Sequence, residues 1–593
     1  MAEAPPNCCV ALRVCLVAIG LAGTFAGREF QMRSRSRELR LVVGQAACFE
    51  SPITRMRESK LGFRGISKLA GFFRIAVGCT VKLNKSFVLA ALACSMGMTS
   101  CYHEFPGGGG GGGGGGGTGT AKVSFTVVAD TPPANLGIVS FVATIQSITL
   151  TSSTGAATTL NLNGNSGLSF DLARLQSDSG FAGTAASVPT GANSTITVKF
   201  SSAKLVFQNN TGVALTTPTC PSGDICVATF GGPLTATINA AQTISGNTGF
   251  GIDVNLSNAL TVSGSALALN LTNASTTSVS SFTLPRANSN LLAGQLDLIE
   301  DVTGVVSLSG SGVTVTPALI TGQPTIAAAS NSNTIYDLDP TNALCQNATT
   351  LSTCVTSNAP ASMDAVLNAD GTFTVQEIEP LSATLQDSVE GTIYSIPSQT
   401  QFGMIVTNII PAASNSKISS ISIGDPLTVN LAVGPTFLVD SKGLPVQTDF
   451  SSSYQFFIGS TNTTGLQPGQ TVAIPITSFT AANGNTPAIS NQTAAVTLRW
   501  SRFGSTPTGA LSNSLINVTD LPSYFGLTST SILEVEIFPG TQGQGSRGIT
   551  NLDGIPDGSA PNATPGVGIR ALYIEDPGGT LAPAFFAAKV RQQ

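Results

Sequence analysis

The chain has 593 residues, 10% of them charged, and a formal net charge of −5. One histidine, His103, is all it holds, so His-based triads and histidine metal centres are excluded from the rest of the chain. The acidic balance offers no basic footprint for nucleic acid.

Residues 1–80 differ in character from residues 81–593. They hold 12 basic and 5 acidic residues, a net of +7, and five of the 11 cysteines (Cys8, Cys9, Cys15, Cys48 and Cys79); the remainder holds 15 and 27, a net of −12. Such a break marks segments of different origin. The expectation is that translation begins at Val81, read from a GTG codon, and that residues 1–80 are a mis-annotated N-terminal extension. The competing reading is a basic presequence, since Val10 to Gly27 is weakly signal-like.

Residues 81–101 have the order of an export signal. Lys82 and Lys85 are basic, Phe87 to Met98 is apolar and too short to span a bilayer, and Thr99 and Ser100 are small residues before Cys101. The segment resembles the lipobox of bacterial lipoproteins. That resemblance implies a lipid on Cys101 rather than Cys94, anchoring in the cell envelope, and, because Tyr102 rather than Asp comes next, the outer membrane. Residues 102–120 contain eleven consecutive glycines, Gly107 to Gly117. Polyglycine forms a flexible tether with a root-mean-square span of roughly 20 Å. A phosphate-cradling loop would need a preceding strand, a following helix and a lysine, none of which the pattern supplies.

Residues 121–593 predict an all-β body of serial β-sandwich and small β-barrel domains. Val123, Phe125 and Val127 share one strand face, with Ser124, Thr126 and Val128 on the other; Ile196 and Val198 alternate with Thr195, Thr197 and Lys199; Leu533, Val535 and Ile537 alternate with Glu534 and Glu536. Period-two runs bounded by Gly, Asn, Pro and Ser indicate antiparallel strands. Cys220 with Cys226, and Cys345 with Cys354, each close a short polar loop and predict two local disulfides in an oxidising compartment. Zinc would want four ligands and other spacings.

Residues 121 to about 285 resemble the exported lipoprotein domains of domain-of-unknown-function family 4382. The segments SFTVVADTPP (from Ser124), IQSITLTSSTG (from Ile145), FDLARLQ (from Phe170), SVPTGANSTITVKF (from Ser187) and TGFGIDVNLSNALTV (from Thr248) carry the likeness. It implies a β-sandwich and no established activity. Residues 291–382 resemble a small β domain of domain-of-unknown-function family 5666, through Glu300, Asp301 and Gly304 before VVSLSGSGVTV and through LNADGTFTVQEIEP. Asn368 to Gly371 is the expected turn and Thr372 to Ile378 the returning strand. Glu390 and Gly391 before TIYSIPSQTQFGMIV echo this unit, and Trp500 to Asn517 begins a third copy, so residues 383–593 are expected to hold one or two further β units.

Candidate chemistry is thin. Glu377 and Glu379, two apart on a strand, share a face some 7 Å apart, near the spacing of inverting glycosidases; a solvated strand face is far commoner and needs no further explanation. Asp297, Glu300 and Asp301 read as a polar domain linker. Gly543, Gly545 and Gly548 match a dinucleotide fingerprint without the helix that it needs. Asn551, Asp553 and Asp557 are weak calcium candidates, short of the six to eight oxygens calcium wants. Asp337 and Asp339 end a strand. No cofactor is expected. The function expected is a non-enzymatic envelope lipoprotein acting in binding, adhesion or envelope structure, partnered by the membrane and by a glycan or another envelope protein. The rival is an exported carbohydrate-active enzyme using a carboxylate pair. A pocket joining carboxylates from two domains would favour the enzyme.

Overall fold

The computed structural model describes residues 119–592, except 131, 240–241, 275, 285–290, 317–322, 337–344, 346–347, 382–385, 413–414, 441–456, 485, 513–514, 526–532, 538–551, 554–565 and 575–584. The export signal with Val81 and Cys101, the glycine run, Asp337, Asp339, Gly543, Gly545, Gly548, Asn551 and Asp557 therefore lie outside the described residues. Those described form an all-β body in which no helix is long and apolar enough to cross a membrane.

Residues 120–282 form a sandwich. One sheet has four strands in the order Val279–Phe282, Thr248–Val254, Thr120–Ala129, Gly180–Pro189. The other is built on two long strands, Leu136–Ser152 and Gly191–Asn209. Ala157–Asn161 and Leu168–Asp171 pair with the free side of the first, and Ile225–Ile238 and Gln242–Ile244 with that of the second. Buried Ile196, Val198 and Phe200 alternate with half-buried Thr195, Thr197 and Lys199, as the period-two pattern requires.

One expected face is different. Ser124, Thr126 and Val128 are as buried as Val123, Phe125 and Val127. Their strand lies inside its sheet, parallel to Thr248–Val254, and the next unit covers its outer side. Ser124 Oγ donates to the carbonyl of Gly371 at 2.9 Å. Gly371 has φ of 76°, and a Cβ there would stand 2.6 Å from the carbonyl oxygen of Thr248, so the Asn368–Gly371 turn can dock this closely only with glycine.

Three five-stranded barrels come next, on one plan. In each, the first strand pairs with the second and the fourth, the second with the third, and the fourth with the fifth. The third and fifth then close the barrel in parallel. This is the connectivity of OB-type Greek-key barrels. Barrel 1 runs from Gln295–Ser309 to Phe373–Pro380, barrel 2 from Ser388–Ser398 to Ala488–Arg499, and barrel 3 from Ser501–Ser512 to Phe585–Gln592. The closing pairs depart from the antiparallel expectation because the five-strand path brings the third and fifth strands together running in the same direction. Barrels 2 and 3 are joined by Trp500 alone, 2% exposed. Val139 and Val206 of the sandwich belong to the apolar core of barrels 2 and 3, and Phe181 packs edge-on to Phe373 of barrel 1, with ring centres 4.9 Å apart. Each fully buried side chain of this size contributes roughly 1.5–3 kcal/mol.

Candidate functional site: a buried ionic junction

The four units meet at charged side chains that their strands push outward from each core. In the sandwich, the Asp171 carboxylate accepts from the backbone N–H of Phe141 at 2.8 Å and of Ala173 at 3.2 Å, and from Ser140 Oγ at 3.0 Å. These bonds pin the short turn that presents Arg174, Asp178 and Ser179. Burial raises the Asp171 carboxyl above its ordinary value against the pull of those bonds.

In barrel 1, the first strand slips register between Ile299 and Val302, and Asp301 takes a φ of 56°. The bulge turns Glu300 and Asp301 away from the barrel core. The Asp301 N–H donates to Asp364 Oδ1 at 2.8 Å. Barrel 2 contributes Glu390 and Arg499. Barrel 3 aligns Arg502, Arg570 and Lys589 directly opposite one another across three neighbouring strands. Like charges in such a row repel, so the row needs anions facing it.

Those anions come from the other three units. Arg502 pairs with Asp178 of the sandwich, with Asp301 of barrel 1 at 3.0 Å and with Glu390 of barrel 2 at 3.4 Å. One guanidinium in the last unit thus touches all the others, and its side chain is 5% exposed. Arg570 pairs with Glu300, and with Asp301 at 2.7 Å; Lys589 reaches Glu300 at 3.4 Å. Arg591 donates to the carbonyl of Asp178 at 3.0 Å and to Ser179 Oγ at 3.1 Å, while Ser179 donates to Asp297 at 2.7 Å. Arg174 and Arg499 complete the set on Glu390, at 3.2 and 3.4 Å.

Charge complementarity outweighs desolvation for the best-paired groups. Burial works against ionisation of Asp178, yet Arg502, Arg570 and Arg174 hold it well below the ordinary carboxylate range. Burial likewise opposes Glu390, and Arg174, Arg499 and Arg502 prevail. Arg502 is lowered by burial but raised further by Asp178, Glu390 and Asp301, and ends above its ordinary value. Arg174 ends lowered, by burial first and by repulsion from Arg502 second. Glu300 is raised by burial against the pull of Arg570 and Lys589.

A cleft of about 160 Å³ opens beside the junction, between the sandwich and barrels 1 and 2, lined among others by Phe170, Arg174, Asp178, Glu300, Asp301 and Ile409. It does join carboxylates from two units. Their oxygens are engaged by Arg502, Arg570 and Lys589.

The sequence-predicted residues fall out unevenly. Asp297, Glu300 and Asp301 are strand residues inside the junction, not a linker, because the bulged strand turns them toward barrel 3. Glu377 is 1% exposed, opposite buried Asp364, while Glu379 is half-buried opposite Ser362, so the pair is no solvated face. Cys220 and Cys226 stand at disulfide distance with Cα atoms 5.8 Å apart, and Cys345 and Cys354 likewise at 4.4 Å. Asp553 lies on a two-residue strand beside Arg591, and among the described residues no group of three His, Cys, Asp or Glu side chains could hold a metal ion.

Sequence reasoning missed Arg174, Arg499, Arg502, Arg570, Lys589 and Arg591 as members of a site. Their signal is scarcity: they are six of the 13 basic residues after Gly119, and most sit in apolar strand runs such as VGIRALYI and FFAAKVRQ.

No protein-family model matches the chain, and no curated protein matches it. The comparisons lend no support to the expected resemblances to families 4382 and 5666.

Proposed function

We propose that the chain is a bacterial envelope lipoprotein, anchored through Cys101, whose β body binds a glycan or another envelope protein. The observation that carries this reading is the junction. Its carboxylates are spent on arginine and lysine partners that bind the four units to one another, which is structural work. The export signal and the tether support the anchoring and the outer-membrane location. OB-type barrels bind oligonucleotides and oligosaccharides on related surfaces, and the acidic, lysine-poor body disfavours the former. That support is fold-level analogy.

The rival reading, an exported carbohydrate-active enzyme, draws on one feature: the cleft joins Asp178, held low, to Glu300, held high, and such divergence is what acid–base pairs show. One experiment separates the two. The full chain, extracted in detergent, is incubated with insoluble envelope polysaccharides. Co-sedimentation without new reducing ends supports binding; release of reducing ends that Glu300→Gln abolishes supports the enzyme. Cys101→Ser is expected to lose alkyne-fatty-acid labelling and membrane retention. Full labelling of that variant would refute the anchor.

A further inference from the structure

We propose that barrel 3 is a latch: its cations close the junction, and the seam that the sandwich and barrels 1 and 2 share there stays open until those cations are in place. The charges are partitioned by chain order. Among the described residues, the first three units bring six carboxylates to the junction, Asp178, Asp297, Glu300, Asp301, Glu390 and Asp440, and two cations, Arg174 and Arg499. Barrel 3 brings four cations, Arg502, Arg570, Lys589 and Arg591, and none of these carboxylates. Without barrel 3, the first three units would meet at this seam with four more negative charges than positive ones. An unpaired charge enclosed there would be strongly destabilising, on the scale of the whole stability of a domain. With barrel 3 seated, six carboxylates face six cations among the described residues.

The covalent layout suits such a device. Trp500 is the only residue between barrels 2 and 3, and Ser501 binds the Gln467–Thr471 turn through the N–H of Thr471 at 3.0 Å and the carbonyl of Gly469 at 2.9 Å. Barrel 3 is thereby held close to barrel 2 whether or not its cations are paired. The contacts that remain to form are those to the sandwich and to barrel 1, where Arg502 and Arg570 act.

Hydrogen exchange on the full chain in detergent, at neutral pH, tests this. In Arg502→Met, backbone amides of residues 174–180 and of the bulge at 300–301 are expected to exchange at least about tenfold faster than in the unsubstituted chain, while the core strands Leu136–Ser152 and Pro360–Asn368 keep their protection. Unchanged protection at residues 174–180 and 300–301 would overturn the latch. If Arg502→Met loses protection throughout the chain, Asp178→Asn decides. It leaves Arg502 with Asp301 and Glu390, so faster exchange is expected at residues 174–180 with barrel 1 unaffected. Protection equal to that of the unsubstituted chain, or a loss that spreads through barrel 1, would overturn the proposal.

Discussion

Barrels 1 and 3 trace the same five-strand path and present opposite charge to the junction. The first strand of barrel 1 presents Asp297, Glu300 and Asp301; the corresponding strand of barrel 3 presents Arg502, with Arg570 and Lys589 on its neighbours. Their interiors differ too. Barrel 1 is filled by aliphatic residues such as Leu296, Val306, Met363 and Ile378. Barrel 3 is filled by an aromatic cluster in which Tyr573 stacks on Phe585 at 4.8 Å and Phe503 meets Phe525 at 5.0 Å. One topology tolerates both cores because either set of side chains, alternating inward along the strands, fills the barrel. The outward charges decide which barrel sits against which.

The comparison can be broken from either side. Arg570→Met removes a cation from barrel 3 and leaves Glu300 and Asp301 short of a partner inside the junction. The expected loss is about 3–5 kcal/mol in denaturant unfolding. Asp301→Asn removes an anion from barrel 1 and should cost less, about 1.5–3 kcal/mol. Arg502 and Arg570 keep other carboxylates, and Asn tolerates the left-handed backbone at this position. Equal losses would show that the asymmetry between the barrels has no energetic content.

Reducing Cys345–Cys354 should lower the stability of barrel 1 by roughly 2–3 kcal/mol in the loop-entropy account. Barrel 3, whose described residues contain no cysteine, should be untouched. Exchange measured strand by strand, with peptide mapping before reduction, checks both halves of that expectation.

Acid should act through the same groups. Asp178 and Glu390 are held below their ordinary values of 3.8 and 4.5. Their contribution is therefore complete above those values and is lost as pH falls below them, through the depressed folded values. Unfolding free energy measured against pH should decline below about pH 4, and the decline should be shallower in Arg502→Met. An equally steep decline in that variant would place the acid-sensitive groups elsewhere. The smallest effect is expected outside the junction. Lys204 and Asp425 pair with side chains 28% and 31% exposed, so Lys204→Met should cost less than about 1 kcal/mol.

Much of the fold was legible because strands announce themselves locally. The alternation of Ile196 and Val198 with threonines, the Asn368–Gly371 turn and the two short cysteine loops each involve residues close in sequence. The echo of Glu300 in Glu390, and the start of a third copy at Trp500, pointed to the first strands of all three barrels. The parallel closing pairs were not legible, since nothing in the strand Ile326–Ala329 specifies a partner beginning at Phe373. The junction was hidden for the same reason. Arg502 and Asp178 are 324 residues apart, and a charge on a strand carries no address. Burial of Ser124, Thr126 and Glu377 likewise depends on neighbouring strands and units that no local pattern encodes.

Trp500 has one more consequence. It is the single tryptophan of the chain, buried at the seam between barrels 2 and 3. The protein thus carries one indole fluorophore, which red-edge excitation selects over its six tyrosines, placed where two of its units join. In the closed body its emission should lie toward the blue and resist quenching by acrylamide; solvent reaching the seam should shift it red. A spectrum of the untouched protein is then a direct optical readout of that seam, with no label introduced.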